Sequence, residues 1–271
     1  MDILTNAEVS DLQPSMDLQA NFEGPKSIFA QLVWTAEYFH NMAQEIHTTG
    51  AEYAKFVRIS IQASLMLLKE HSFLLTPLQE LQICLGLAQL YLEATENLAT
   101  AEEHAQRAMS VALRAQLPRQ KFVAELLLAR VLQASLSPLH PKFLSSKIDE
   151  YFEAGDLFIA GTFQLILGQV QFSDDKSLYT LEQVSQNRRM CPAVRALSLL
   201  FQSGYELQAG SALRALDLLD EVTGLEPLQA HIRAMYLLQK HMVSIQCNLR
   251  KEGKEFMLEI SNFIQVQQVD Q

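Results

Sequence analysis

Turn-forming residues are scarce in this sequence: 271 residues carry only 10 glycines and 8 prolines, with no alternating Val/Ile/Thr runs between turn dipeptides. That excludes a β-sandwich or barrel, which needs short strands and frequent turns, and leaves helices to account for most of the chain. There is no glycine-rich phosphate loop, HExxH, CxxC or GxSxG, so the common nucleotide, metal and acyl-transfer signatures are missing. The 3 cysteines, Cys84, Cys191 and Cys247, are far apart inside predicted helices and read as core thiols in a reducing compartment. Cations are outnumbered, 21 Lys and Arg against 31 Asp and Glu. The net charge of −10 argues against a bare nucleic-acid or anionic-membrane binder and leaves a protein partner. No uncharged apolar run reaches the ~18 residues of a membrane span, and MDILTNAEVSDLQPSMD has no basic region followed by an apolar core. A soluble intracellular protein is expected.

What is present is apolar surface at helical spacing. Hydrophobic residues make up 49% of the chain and mean hydropathy is +0.04, enough for a continuous core. Residues 76–118 carry the clearest pattern. Thr76, Pro77 and Gln79 form a capping signature. Leu81, Cys84, Leu85, Ala88, Tyr91 and Leu92 then mark one helix face. Asn97 can cap a second helix, on which Ala101, Ala105, Ala108 and Ala112 form a ridge of small residues that lets two backbones approach closely. Ala88, Tyr91, Ala101, Ala105 and Ala108, closed by Pro118, approximate a tetratricopeptide repeat in which Thr95 replaces the usual turn glycine. Gly210, Ala215, Leu219, Val222 and Pro227 repeat the turn and second helix in residues 196–227. A helical array of another repeat type is the alternative.

Along the chain, residues 1–25 mix Asp2, Glu8, Asp11, Asp17 and Glu23 with Ser, Gln and Asn, and read as a disordered acidic segment. Helices are expected over about 27–47, 51–71, 76–116 as a pair, 118–134, 142–154, 156–170, 177–188, 192–209, 211–222, 227–249 and 252–266. Pro138 and Pro141 should end the helix begun at Pro118 and open a loop, and Asp156 should cap the helix after it. The fold class is all-α: TPR-like helical-hairpin repeats, with residues 26–271 a single domain stacked into a curved superhelix.

Chemistry is thin. Glu37 and His40 form a Glu-x-x-His on one helical face, of the kind di-iron bundles use, but such sites need a second copy and further carboxylates; a solvated or groove-lining pair is expected. His231 and His241 read as ordinary polar positions, and Arg188-Arg189 as a helix C-terminal cap rather than an anion site. Trp34, Tyr38 and Phe39 are expected in core packing rather than a ligand cage. No catalytic, metal or cofactor site is expected, and an all-α enzyme is the weakest reading.

IFAQLVWTAEYFHNMAQEIHTTGAEYAKFVRISIQASLMLLKE (Ile28–Glu70) and LYLEATENLATAEEHAQRAMSVALRAQLPRQKFVAELLLARVL (Leu90–Leu132) resemble the helical-repeat subunit of the cohesin loader, the smaller partner of the large HEAT-repeat loader protein. The second stretch is similar to the family's hairpin followed by F-x-x-x-L-L-x-A-R-x-L, and the resemblance fades after about Pro138. It implies a non-catalytic scaffold or adaptor, without cofactor, that binds an extended N-terminal segment of the large subunit and supports cohesin loading and sister-chromatid cohesion. It also implies a nuclear location, with cohesin and chromatin reached through the partner and no direct nucleic-acid or membrane contact. Members are longer, so the chain is similar to an N-terminal part of one or to a short relative. A regulatory subunit of another nuclear assembly, proteasome-lid-like or anaphase-promoting-complex-like, is the alternative.

In such repeats the first helix of each hairpin lines the concave face. The repeat register then names Gln82, Leu85, Gln89, Leu92 and Glu93 as partner-groove candidates. Val123, Leu126 and Arg130 follow from the next hairpin, and Leu197, Leu200, Leu207 and Gln208 from the later copy. Apolar positions can take alternate side chains of a bound segment while Gln82, Gln89 and Arg130 satisfy its backbone. The competing assignment puts the leucines in the core, with the register off by one or two.

Overall fold

A computed structural model describes residues 27–45, 50–170, 175–222, 230–249 and 254–261, and among these every regular element is helical. The helices are α1 (Ile28–Glu45), α2 (Ala51–Glu70), α3 (Pro77–Ala94), α4 (Leu98–Arg114), α5 (Pro118–Ala134) and α6 (His140–Glu153). They continue as α7 (Leu157–Val170), α8 (Asp175–Gln186), α9 (Pro192–Gln208), α10 (Ala212–Asp220), α11 (Ala230–Gln246) and α12 (254–261). The chain is an all-helical TPR-like repeat protein, as its apolar periodicity predicts. The acidic segment over 1–25, Pro227 of the second copy and the start and end of the helix expected over 252–266 lie outside the described residues.

Local chemistry fixes the helix ends. Thr76 and Gln79 form the reciprocal capping box: the Gln79 amide donates to Thr76 Oγ1 at 3.3 Å, and the Thr76 amide donates to Gln79 Oε1 at 3.0 Å. Asn97 accepts from the Thr100 amide at 3.2 Å, and Asp156 from the Ile159 amide at 3.2 Å. One boundary differs from expectation. Pro141 does not hold the chain in a loop but sits at the second position of α6, where its missing N–H has no intrahelical partner to lose. A short 3-10 turn, Ser72–Leu74, also joins α2 to α3.

Helix C-termini close by a common device. The amides of Leu117, Ser137, Asp156, Ser211 and Leu249 donate to carbonyls five residues back, at 2.8–3.0 Å. Each closure places the preceding residue at positive φ: Gln116, Leu136, Gly155, Gly210 and Asn248. The turn after α3 is closed otherwise. Thr95 Oγ1 donates to the Tyr91 carbonyl at 2.8 Å and accepts from the Asn97 amide at 3.1 Å, with Thr95 at φ −138°. No left-handed residue is needed, which explains why no glycine is there.

The described residues divide into two compact units, one ending at His140 and the other beginning at Pro141. In the first, Val33 and Ala36 of α1 pack with Ala63 and Leu67 of α2 and Ile83 of α3. Cys84 and Leu87 of α3 pack with Leu68, Ala108 and Ala124. Ala101, Ala105, Ala108 and Ala112 are all buried, so the small-residue ridge is where α4 closes on its neighbours. Burial of Leu67, Leu81 and Leu87 contributes about 1.5–3 kcal/mol each relative to exposure. In the second unit, α9 is central. Val194, Leu197 and Leu200 pack with Leu165 of α7, Leu181 and Val184 of α8, Ala215 and Leu219 of α10, and Ile232 and Val243 of α11.

Candidate functional site

The first helices of successive hairpins, α1, α3 and α5, are neighbours in space as well as in repeat order. On one side of α3, Ile83 joins the Val33–Ala36 cluster and Leu90 packs with Ala43 of α1. Gly86 faces His40, whose Cε1 would be 4.0 Å from a Cβ at that position. On the other side Cys84 meets Ala124 of α5. The remaining face of α3, carrying Gln82, Gly86, Gln89 and Glu93 at spacings of three and four, is not consumed by the core.

That face is polar and cross-linked. Gln89 Nε2 donates to Glu93 Oε1 at 3.3 Å, and Arg130 of α5 reaches the same oxygen at 3.4 Å. Gln89, Glu93 and Arg130 thus form a ladder bridging two consecutive first helices. Glu93 also acts on α2: burial, and then its negative charge, raise the pKa of the Tyr53 phenol. On α1, Gln44 Nε2 lies 3.0 Å from His40 Nε2, and burial holds the imidazole below its ordinary pKa. Glu37, one turn earlier, is pushed up by burial. The Glu-x-x-His pair therefore belongs to the α1–α3 side of this face, with an amide rather than further carboxylates beside it. Among the described residues no three His, Cys, Asp or Glu side chains gather as a metal site.

The predicted positions divide sharply. Gln82, Leu85, Gln89, Leu92, Val123 and Arg130 are half-buried and Glu93 is exposed, so α3 and α5 bring these seven together along one pair of helices. Leu85 is shared with the core, packing beside Cys84, Ala108, Leu81 and Val111. Leu126 is buried on a helix enclosed on almost every side. Leu197 and Leu200 correct the expectation outright: at 3% and 1% exposure they are core. The reason is α11, which lies against α9; Gln239 Nε2 donates to the Leu200 carbonyl at 2.9 Å, and Ile232 and Val243 join the same cluster. Leu207 is half-buried against that core and Gln208 is exposed.

A second correction concerns the aromatic run. Phe39 packs on Phe56 with ring centroids 5.4 Å apart, as a core residue should. Trp34 and Tyr38 instead stack on each other at 4.8 Å on the outer side of α1, 50% and 43% exposed. The signal that could have separated them is angular: residues 33, 36 and 43 define the buried side of α1, and 34 and 38 point away from it.

With the geometry in place, the chain can be set beside known proteins. Residues 29–271 match a family described as cohesin loading factor. Among solved structures, the crystal structure of Scc4 in complex with Scc2n matches with a TM-score of 0.72 at 17% identity, over 91% of this chain and 44% of that one. At that identity the likeness establishes the fold, and the chain spans less than half the length of the Scc4 chain it matches. Comparison with curated proteins finds no match.

Proposed function

Because the chain belongs to the cohesin loading factor family, we propose that it is a non-catalytic adaptor that holds an extended segment of the large cohesin-loader subunit against α3 and α5. In that role it supports cohesin loading onto chromatin and sister-chromatid cohesion in the nucleus, with cohesin and chromatin reached through the partner. The observation that carries the reading is the uncovered face of α3 and α5, where amide, carboxylate and guanidinium groups alternate with the half-buried Leu85, Leu92 and Val123. An extended chain has unpaired backbone donors and acceptors every residue. Gln82, Gln89 and Arg130 can satisfy them while the apolar positions take alternate side chains. The solved neighbour is itself a complex, of Scc4 with Scc2n.

The test is co-purification with the N-terminal segment of the large loader subunit, followed by hydrogen exchange of the complex. Slowed exchange in α3 and α5, and loss of capture by Leu92→Arg with helical signal retained, are expected. Capture that survives Leu92→Arg with no protection of α3 or α5 would move the interface elsewhere.

A further inference from the structure

The helices α9 and α11 are both 17 residues long, and aligned from their first residues they coincide at Arg195 and Arg233, Ala196 and Ala234, and Leu200 and Leu238. They are successive first helices of one repeat series. On α9 the line Leu197, Leu200, Gly204 and Leu207 is covered. There α11 lies alongside: Gln239 Nε2 donates to the Leu200 carbonyl at 2.9 Å and would be 3.1 Å from a Cβ at Gly204. The same line on α11 is Met235, Leu238, Met242 and Ile245. Met235 is half-buried against the core, but Leu238, Met242 and Ile245 are 49%, 49% and 60% exposed, so among the described residues no helix closes over them. The solvent side of a surface helix is ordinarily polar. Here it is apolar along a single line.

We propose that this line is a self-association seam, the seat for α11 of a second copy of the chain. Its spacing is three, four and three, the a/d rhythm with which two helices interlock side by side. The residues flanking it, Ala234, Gln239, His241 and Gln246, include no carboxylate, lysine or arginine, so no charge pattern selects a different partner. Charge favours like meeting like here for a second reason. Two chains of net charge −10 repel wherever acidic surfaces meet, yet Ala230–Gln246 contains no Asp or Glu, and its Arg233 and Lys240 are engaged by Glu259 and Asp220. An interface core shows the same features, few charges and enrichment in methionine. Met242, standing where α9 has Gly204, holds an incoming helix at ordinary interlocking distance rather than at the close approach that α11 makes to α9. The seam is small against the about 800 Å² per partner of a stable interface, so the pair forms weakly and by mass action. Two-fold symmetry brings Met242 within about one helical turn of the second copy's Met242. Because α11 belongs to the second unit and α3 and α5 to the first, self-association stands or falls independently of the adaptor reading.

The experiment is sedimentation equilibrium of the full chain. The weight-average mass should rise from 30.6 kDa toward twice that value between about 1 and about 100 µM. Met242→Glu and Ile245→Glu, both at exposed positions, should each remain at the monomer mass over that range, with the melting temperature of dilute protein unchanged. Mixing Met242→Glu with Met242→Lys should restore association that neither variant shows alone, because a seam that meets itself sets the two charges beside each other. A chain that stays monomeric throughout overturns the proposal, as does association that survives both glutamates or a mixture that fails to pair. A lowered melting temperature in the dilute variants would place the seam in the core and overturns it too. A monomeric chain whose Met242→Glu variant loses capture of the large loader subunit's segment would give the seam to that partner instead.

Discussion

The helices α3 and α9 have similar compositions and open the two recognisable repeats, yet their predicted ligand faces end up in different environments. On α3 the face keeps its access to solvent: Gln82 and Gln89 are half-buried, Glu93 is exposed, and Arg130 arrives from α5 to make a polar ladder. On α9 the corresponding leucines are enclosed by α7, α8, α10 and α11. The difference is not in either helix but in what packs beside it. A polar residue every third or fourth position keeps a neighbouring helix from closing over α3, since burying an unpaired amide costs about 1–3 kcal/mol. Leu197 and Leu200 offer no such resistance.

The strongest way to break this comparison is to place the same charge on each face. Leu200→Arg buries a guanidinium with no carboxylate beside it and should cost more than about 4 kcal/mol, enough to unfold the C-terminal unit. Leu92→Arg, at a half-buried position, should leave the helical signal and melting temperature nearly intact while abolishing capture of the large subunit's segment. Circular dichroism melts and a pull-down on both variants decide it. A Leu92→Arg protein that melts like Leu200→Arg would make the two helices equivalent.

Next in size is the small-residue ridge. Ala105 and Ala108 have no measurable exposure where α4 meets its neighbours. Leucine at either should overpack the crossing and cost about 1–3 kcal/mol. An unchanged or raised melting temperature would mean that α4 can move away from α3 and that the close approach has no energetic consequence.

Most of the fold was legible because it is written in local chemistry. The Thr76–Gln79 box, Asn97, Asp156 and the prolines at helix starts act within a turn or two, and each marks its boundary in the structure. The candidate site was legible only where polarity marked it. Gln89, Glu93 and Arg130 were found together because a core rejects such groups. Leucines on a repeat helix carry no equivalent signal, since the same side chain serves a groove or a core and only a partner distant in sequence, here Ile232 and Val243, decides which. Trp34 and Tyr38 failed for the same reason in the opposite sense: their bulk suggested burial, but among the described residues no helix covers that side of α1.

Acid should separate the two regions in a third way. His104 lies buried between α4 and Tyr91 of α3, stacked on the phenol ring at 5.9 Å. Burial holds its pKa below the ordinary 6.5, with the Arg107 charge acting in the same direction and Glu103 opposing. His40 is lowered too, by burial. A base whose folded pKa is depressed binds its proton first in the unfolded chain, so stability is constant above about pH 6.5 and declines as pH falls through that value toward the folded pKa. The loss is about 1.4 kcal/mol for each unit of depression. Amide protection factors, which are corrected for the intrinsic pH dependence of exchange, should therefore fall in α3 and α4 at pH 5.5 relative to pH 8. His104→Phe, which keeps the ring and removes the proton site, should narrow that gap; an unchanged gap would acquit His104.

The smallest expected effect lies in the turns that follow α3 and α9, where the two copies differ by one residue type. Gly210 sits at φ +84°, a conformation that costs an L-residue about 1–2 kcal/mol, so Gly210→Ala should lower stability by roughly 1 kcal/mol. Thr95 is at φ −138°, where alanine is unstrained, and only the two hydrogen bonds of its hydroxyl are at stake. Thr95→Ala should then cost about 0.5–1 kcal/mol, and Thr95→Ser, which keeps the hydroxyl, less. Thr95→Gly tests the logic most directly. If the repeat needed a glycine there and threonine were a tolerated defect, the glycine variant would be more stable than wild type. If the hydroxyl is the closure, it loses both hydrogen bonds and gains backbone freedom in the unfolded chain, and should be the least stable of the three. Denaturant midpoints at fixed m distinguish the two outcomes.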